Sequence, residues 1–236
     1  MPLKEGVTYD DVLLVPQYSD IRSRDEVDIG GSLALGDHTF DFKLPIMASP
    51  MDTVTASPMA TAMAAYGGLG IVHRYNSIEV QCNHVRCVPP QTTVGAAIGA
   101  AGDYLERATA LYEAGAAILC VDVAHGHHIM MKEALGGLRR RFGDTVYIIA
   151  GNVATLEGYN DLVDWGADSV RCNIGGGSIC STRIQTGHGV PGLQTVFDCA
   201  KSDRTAPIIA DGGIRNAGDI VKALAAGADF VMLGSL

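Results

Sequence analysis

Lysine and arginine are scarce. The 236-residue chain carries 17 of them against 26 aspartates and glutamates, for a formal charge of −9. Nucleic-acid surfaces need clustered basic side chains to displace counterions, so a polynucleotide partner is excluded as the default. A local basic pocket for one phosphate is still compatible with that balance. Long apolar runs are missing too. None reaches the roughly twenty residues of a membrane span, so no membrane partner is expected. The opening residues do not read as a secretory leader, and none is expected. The six cysteines, at 82, 87, 120, 172, 180 and 199, are therefore expected as thiols of a cytoplasmic protein, not as a disulfide framework. The Cys82-Asn83-His84-Val85-Arg86-Cys87 cluster lacks the spacing of a paired zinc knuckle and is not read as a ligand set. Charged residues make up only 18% of the chain and hydrophobic residues 47%. That is enough for a large core, and nothing reads as disordered. Residues 1–236 are expected to form one domain.

Short apolar and β-branched runs alternate with alanine-rich amphipathic stretches, the sign of βα units on a parallel sheet. The runs are Pro45–Ser49, Gly68–His73, Val94–Gly99, Ala117–Val123, Val146–Gly151, Asp168–Ile174, Pro207–Asp211 and Asp229–Leu233. Helices are expected over Pro58–Tyr66, Asp103–Glu113, His128–Arg141, Leu156–Trp165 and Ala217–Ala226. Asp103 and either Asn216 or Asp219 are candidate helix starts. One phrase introduces several strands: EAGAAILCVDV, DWGADSVRCNI and AAGADFVMLGS. In each, a glycine takes the left-handed position that ends a helix, and a strand begins. Eight strands with helices between them read as an α/β fold, a (β/α)8 (TIM) barrel. Phe230 and Met232 alternate along the last strand, so one face points inward. The other face is expected to need a helix that these 236 residues do not include, leaving an open apolar strip.

Barrels of this kind place their site in the loops at the C-terminal ends of the strands. Polar residues gather there: Ser49 and Asp52, His73 and Arg74, Asp122, His125 and His127, Asn152, then Cys180. Asp211-Gly212-Gly213 follows the seventh run and Gly234-Ser235 the eighth, where barrels often bind phosphate. Glycine loops offer the backbone N–H groups that do so. A phosphorylated small molecule is the expected ligand. GGGSICSTR, residues 175–183, stands out. Cys120 and Cys172 fall inside strand runs and read as core. Cys180 lies outside any periodic run in a glycine-rich polar loop, where backbone N–H groups favour the thiolate, the form that attacks carbon. Arg139-Arg140-Arg141 reads as the solvated end of a helix.

TYDDVLL (8–14), SPMDTVT (49–55), GGLGIVHR (67–74), GNVAT (151–155), GGGSICSTR, IIADGGI (208–214) and VMLGSL (231–236) stand in order along nearly the whole chain. Together they resemble the IMP dehydrogenase/GMP reductase family. The resemblance implies a barrel, usually in tetramers, acting at carbon 2 of a purine nucleoside monophosphate (IMP, XMP or GMP) with NAD or NADPH. It makes Cys180 the nucleophile, with Thr182 its neighbour in proton handling. Ser178, Gly212, Gly213, Gly234 and Ser235 resemble the phosphate-binding loops. Asp211 matches the aspartate that takes both ribose hydroxyls, and Ser49, Met51, Asn152 and Arg171 match positions around the nucleotide. Asp122 and Asn173 match cofactor-side positions. The carbonyls of Gly175, Gly177 and Cys180 correspond to those that hold potassium in the dehydrogenases.

SPMDTVT and GGLGIVHR resemble the dehydrogenase branch, which oxidises IMP to XMP with NAD. The reductases have asparagine where this chain has Pro50. STRIQTGHG (181–189) leans the other way, toward reduction of GMP to IMP and ammonia with NADPH. Dehydrogenases usually insert a tandem regulatory CBS pair between the second and third strands, and Val85–Thr93 leaves no room for one. Asn173 stands where the family usually has glycine, beside the nicotinamide. The family continues past the position of Leu236 with an eighth helix, a catalytic flap and a C-terminal segment, so the barrel is expected to be incomplete at that end. Two classes follow: an oxidoreductase, with dehydrogenase ahead of reductase, or a non-catalytic nucleotide-binding relic.

Overall fold

A computed structural model describes residues 5–234. All eight expected strands form: β3 (Ile46–Ala48), β4 (Leu69–Val72), β5 (Gly95–Ile98), β6 (Ile118–Asp122), β7 (Tyr147–Val153), β8 (Ser169–Cys172), β9 (Ile208–Asp211) and β10 (Phe230–Leu233). Each pairs in parallel with its neighbour, and β10 returns to β3 through Val231 opposite Ile46, closing the barrel. These strands are buried on both faces, which is why they read as near-continuous apolar runs.

Their alternation sorts side chains into two cores. Met47, Leu69, Ile71, Ile118, Cys120, Tyr147, Ile149, Ile209, Phe230 and Met232 share the barrel interior. Leu119, Val121, Ile148, Val170, Cys172, Ala210 and Val231 face the helical layer. Both strand cysteines are therefore core residues, Cys120 inside and Cys172 outside. Burial pushes the Cys120 thiol up to about 12.

The helical layer is α1 (Ser57–Tyr66), α2 (Ile78–Arg86), α3 (Tyr104–Glu113), α4 (Ile129–Phe142), α5 (Leu156–Asp164), α6 (Thr182–Thr186), α7 (Gly192–Cys199) and α8 (Ala217–Ala225). Gly115, Gly166 and Gly227 end α3, α5 and α8 at φ near +110°, as the repeated phrase requires. Asn216 caps α8, its Oδ1 accepting the Asp219 N–H at 3.1 Å. Three helices were not read from the sequence: α2, α6 and α7. Cys82 faces the core from α2 while Cys87 is exposed, which splits the Cys82–Cys87 cluster. His84 Nδ1 lies 3.1 Å from Ser57 Oγ.

A hairpin that sequence reading also missed closes the lower end. Strands β1 (Gly31–Leu35) and β2 (His38–Phe42) pair antiparallel across a two-residue turn, with Gly36 at φ +56°. Their apolar stripe, Leu33, Leu35, Phe40 and Phe42, joins the barrel interior. Phe42 meets Phe230 edge to face at 5.7 Å, and Phe40 meets Tyr147 in the same way at 6.2 Å. Both partners stand at the first residue of their strands, so the plug fills the N-terminal end and leaves the C-terminal end for chemistry.

The open strip expected beside the last strand is absent at Val231. That side chain is fully buried in the same outer core as Ala223 and Ala228, with Leu233 partly buried against it. Gly234 is the last described residue, and no helix follows β10 among the described residues.

The plug ties the hairpin to barrel stability. Phe230→Ala removes a fully buried ring from that contact and should cost about 3–5 kcal/mol in chemical denaturation. Val221→Ala, on the exposed face of α8, should stay within about 0.5 kcal/mol of the parent. Equal effects from the two would mean that the hairpin does not fill the barrel.

Candidate active site

Climbing the inward stripes shows where the site comes from. On β6 the stripe runs Ile118, Cys120, Asp122; on β7, Tyr147, Ile149, Gly151; on β8, Ser169, Arg171; on β9, Ile209, Asp211. Below they are mostly apolar; at the C-terminal ends they turn charged. Arg171 is 4% exposed. One terminal nitrogen donates to Asp122 Oδ1 at 2.5 Å and the other to Asp211 Oδ2 at 2.7 Å. Asn152 Nδ2 donates to the same Asp211 oxygen at 2.7 Å and to the Asn173 carbonyl at 2.9 Å. Burial works against the guanidinium charge, but the carboxylates of Asp211 and Asp122 offset it and hold Arg171 protonated above its ordinary range. Gly151 pairs with Arg171 across the ladder, and a Cβ there would sit 2.5 Å from the Arg171 Cβ. Glycine is what lets the arginine rise between the two acids.

Above this cluster opens a cavity of about 860 Å³. Its size falls in the range of small-molecule sites. Cys180 lines it, in the loop between β8 and α6, half-buried, with its N–H donating to the Gly177 carbonyl at 3.1 Å. Around it stand Gly175, Gly177 and Ser178 of the same loop. Gly212, Gly213 and Gly234 come from the loops after β9 and β10. Ser49 and Met51 enter after β3, and Asp122, Asn152, Arg171, Asn173 and Asp211 form the floor. Asn173 is committed inward, its amide donating to the Asp211 carbonyl at 2.7 Å.

Some expected residues do not converge. Thr182 begins α6 and does not line the cavity. Asp52 borders a shallow groove beside α1 instead. His125 and His127 lie outside too, and His127 pairs with Asp161 at 2.8 Å. Ser235 lies outside the described residues.

Other lining residues had no role assigned from sequence. Thr8, Tyr9 and Asp10 reach the cavity from the N-terminal segment, within the TYDDVLL stretch. Tyr9 is buried, its carbonyl accepts Lys222 Nζ at 2.7 Å, and Asp10 pairs with Arg215. Burial, then the charges of Asp219 and Asp211, push the Tyr9 phenol above its usual range. Tyr75 lines the opposite side, its ring stacked on His73 and its N–H donating to His73 Nδ1 at 3.3 Å. Only the adjacency of VHR to Tyr75 hinted at that placement.

Residues 6–236 match the model of the IMP dehydrogenase / GMP reductase domain. The chain belongs to that family. A dehydrogenase from Nitrosopumilus maritimus is 32% identical over the whole chain, which covers 75% of that protein. A GMP reductase from Leishmania major is 33% identical over 99% of the chain and 75% of its own length. Among solved structures, an IMP dehydrogenase from Legionella pneumophila superposes with a TM-score of 0.89 at 46% identity, over 98% of this chain and 69% of that one. A cysteine-to-alanine variant of GMP reductase from Trypanosoma brucei gives 0.92 at 30% identity, over 98% and 81%. The family is one of oxidoreductases that act on purine nucleoside monophosphates with NAD(P)-type cofactors. No helix among the described residues is long and apolar enough to cross a membrane.

In this member the acid–arginine–acid cluster is the structural base of the site. Arg171→Met would leave two carboxylates facing each other without their cation, a loss of about 3–5 kcal/mol. Adding Asp122→Asn and Asp211→Asn to that variant should return most of the stability. Full stability in Arg171→Met alone, read by denaturant melts, would show that the cluster carries no such weight.

Proposed function

We propose that this protein oxidises IMP to XMP with NAD, Cys180 attacking carbon 2 of the purine. The observation that carries the reading is the convergence of Cys180, Asp211 and the loops after β9 and β10 on one cavity. The SPMDTVT and GGLGIVHR stretches carry the preference for this branch, since the similarities to known proteins do not separate the two: the Nitrosopumilus dehydrogenase stands at 32% identity and the Leishmania reductase at 33%.

In the proposed reaction Asp211 accepts the ribose hydroxyls, a carboxylate being a natural bidentate acceptor. Ser178, Gly213, Gly234 and Ser235 take the 5′-phosphate, and Ser49, Met51 and Asn152 pack around the nucleotide. The Cys180 thiolate adds to carbon 2, forming a carbon–sulfur bond. The hydride that leaves carbon 2 would be accepted by a nicotinamide bound on the Asp122 side. Water then adds at carbon 2 and gives up a proton to solvent, the sulfur departs as thiolate, and XMP is released. Asp122 and Arg171 line the same cavity as Cys180. Thr182 can take part in moving the proton only if its loop shifts, because it stands off the cavity. A potassium ion would take the carbonyls of Gly175, Gly177 and Cys180, the Gly177 oxygen keeping a lone pair beside the bond it accepts from the Cys180 N–H.

We also take residues 1–236 as a single barrel without an inserted CBS pair. Only eight residues separate the end of α2 at Arg86 from β5 at Gly95. The alignment to the Nitrosopumilus dehydrogenase runs over 363 positions against 236 residues here, so that relative carries more than a hundred positions with no counterpart. The STRIQTGHG stretch favours the alternative, reduction of GMP with NADPH. Tetramer formation and a cytoplasmic setting complete the proposal.

Two measurements test it. Incubation with IMP and NAD should yield XMP and reduced cofactor, and Cys180→Ala should abolish both turnover and the covalent adduct while keeping IMP binding. Consumption of NADPH with GMP instead would move the protein to the reductase branch. Calorimetry should find IMP bound far more tightly than inosine, since charge-assisted contacts to phosphate are the strong ones. Equal affinities would remove the phosphate assignment.

A further inference from the structure

Asn173, the residue after β8, is the one non-glycine residue with positive φ among those described, at +145°. A side chain persists in that region only where its surroundings over-determine it, and such positions gather at functional sites. The surroundings here are specific. The amide Nδ2 donates to the Asp211 carbonyl at 2.7 Å and to the Gly212 carbonyl at 3.3 Å. Its backbone N–H is held by the Val153 carbonyl at 2.8 Å, and its own carbonyl by Asn152 Nδ2 at 2.9 Å. Two carbonyls facing Nδ2 fix which way the amide points. Oδ1 is left buried and without a partner.

The cysteine loop rests on this amide. A Cβ on Gly176 would sit 2.2 Å from Nδ2 and 2.8 Å from Oδ1, and one on Gly192 would sit 3.1 Å from Nδ2. The turn after β9 rests on the loop in its place: a Cβ on Gly213 would sit 2.9 Å from the Gly176 carbonyl. Gly212 and Gly213 both run at φ near +80°, so that turn has little stiffness of its own. Arg171 and Asn152 hold the Asp211 side chain, and the Gly212 N–H reaches the Met232 carbonyl at 3.4 Å; the asparagine is what ties the turn's carbonyls to the cysteine loop.

We propose that Asn173 is the positioning residue that fixes the Asp211–Gly213 turn against the Gly175–Cys180 loop, and that preference for a nucleoside monophosphate over its nucleoside depends on it. This rests on the nucleotide reading above. Asn173 does not touch the phosphate in this scheme. It sets the distance between the two loops that do, one of which also carries the nucleophile.

The test is calorimetry of IMP and inosine on the full chain, with thermal melts alongside. Asn173→Gly removes the amide and relieves the backbone. Asn173→Asp keeps size and shape but turns the donor into an acceptor facing two carbonyls. In both, IMP affinity should fall by about tenfold, the scale of one lost hydrogen bond, while inosine affinity changes by less than about twofold on the same scale. KM for IMP should rise by the same factor as Kd. An unchanged ratio of IMP to inosine affinity in whichever variant melts cooperatively would overturn the proposal, because a merely structural role would weaken both ligands alike. Failure of the nucleotide reading looks different: the parent protein itself would bind IMP no better than inosine, before any variant is made.

Discussion

A guanidinium buried under a cavity must be neutralised within reach, and in this barrel that requirement organises the upper layer. Arg171 cannot be taken out of water without a counter-charge. Asp122 and Asp211 supply it from strands on either side, and Asn152 secures the oxygen that Asp211 shares with the arginine. Three strand ends are thereby held at fixed spacing. The loops that continue from β6, β8 and β9 inherit that spacing, and they bring the cysteine and the glycine turns to the cavity. A carboxylate locked by an arginine keeps one face for its partner and leaves the other for a ligand's hydroxyl groups.

The lower half obeys a different constraint. Inside a closed eight-stranded sheet the side chains fill the space themselves, and here the hairpin adds four more from below. Close packing of this kind transmits strain and resists deformation. The apolar base and the ionic top share one set of strands, and the change occurs within two residues, from Cys120 to Asp122 and from Ile209 to Asp211. The Arg171 nitrogen that bonds Asp122 also lies 3.5 Å from Cys120 Sγ, so the boundary is a contact, not a gap.

Much of the fold could be read along the chain because strands buried on two faces leave an unbroken apolar signature, and the glycines at 115, 166 and 227 mark the ends of α3, α5 and α8. The hairpin escaped notice although Leu33 and Leu35, then Phe40 and Phe42, alternate around Gly36: each arm is only five residues long, and periodicity over so few positions is weak. Helix α7 starts just after Pro191 and runs for eight residues, too short for its pattern to stand out. The cysteine and glycine loops were visible as local composition. The partnership of Arg171 was not, since its acids lie 49 and 40 residues away, and in SVRCN it is simply a cation in a strand. The place of Tyr9 is equally non-local, decided by Lys222 across 213 residues.

The closed base also governs traffic. With the strands' own side chains filling the lumen and the hairpin's apolar residues seated beneath them, the described barrel is a vessel with a floor. A ligand that enters between the loops must leave through the same mouth. Anything bound nearer the rim therefore stands in the path of whatever lies deeper, and departures are queued: the outer occupant goes first. For a two-ligand reaction in this cavity the sequence of release would follow from the closed base, with no moving part required.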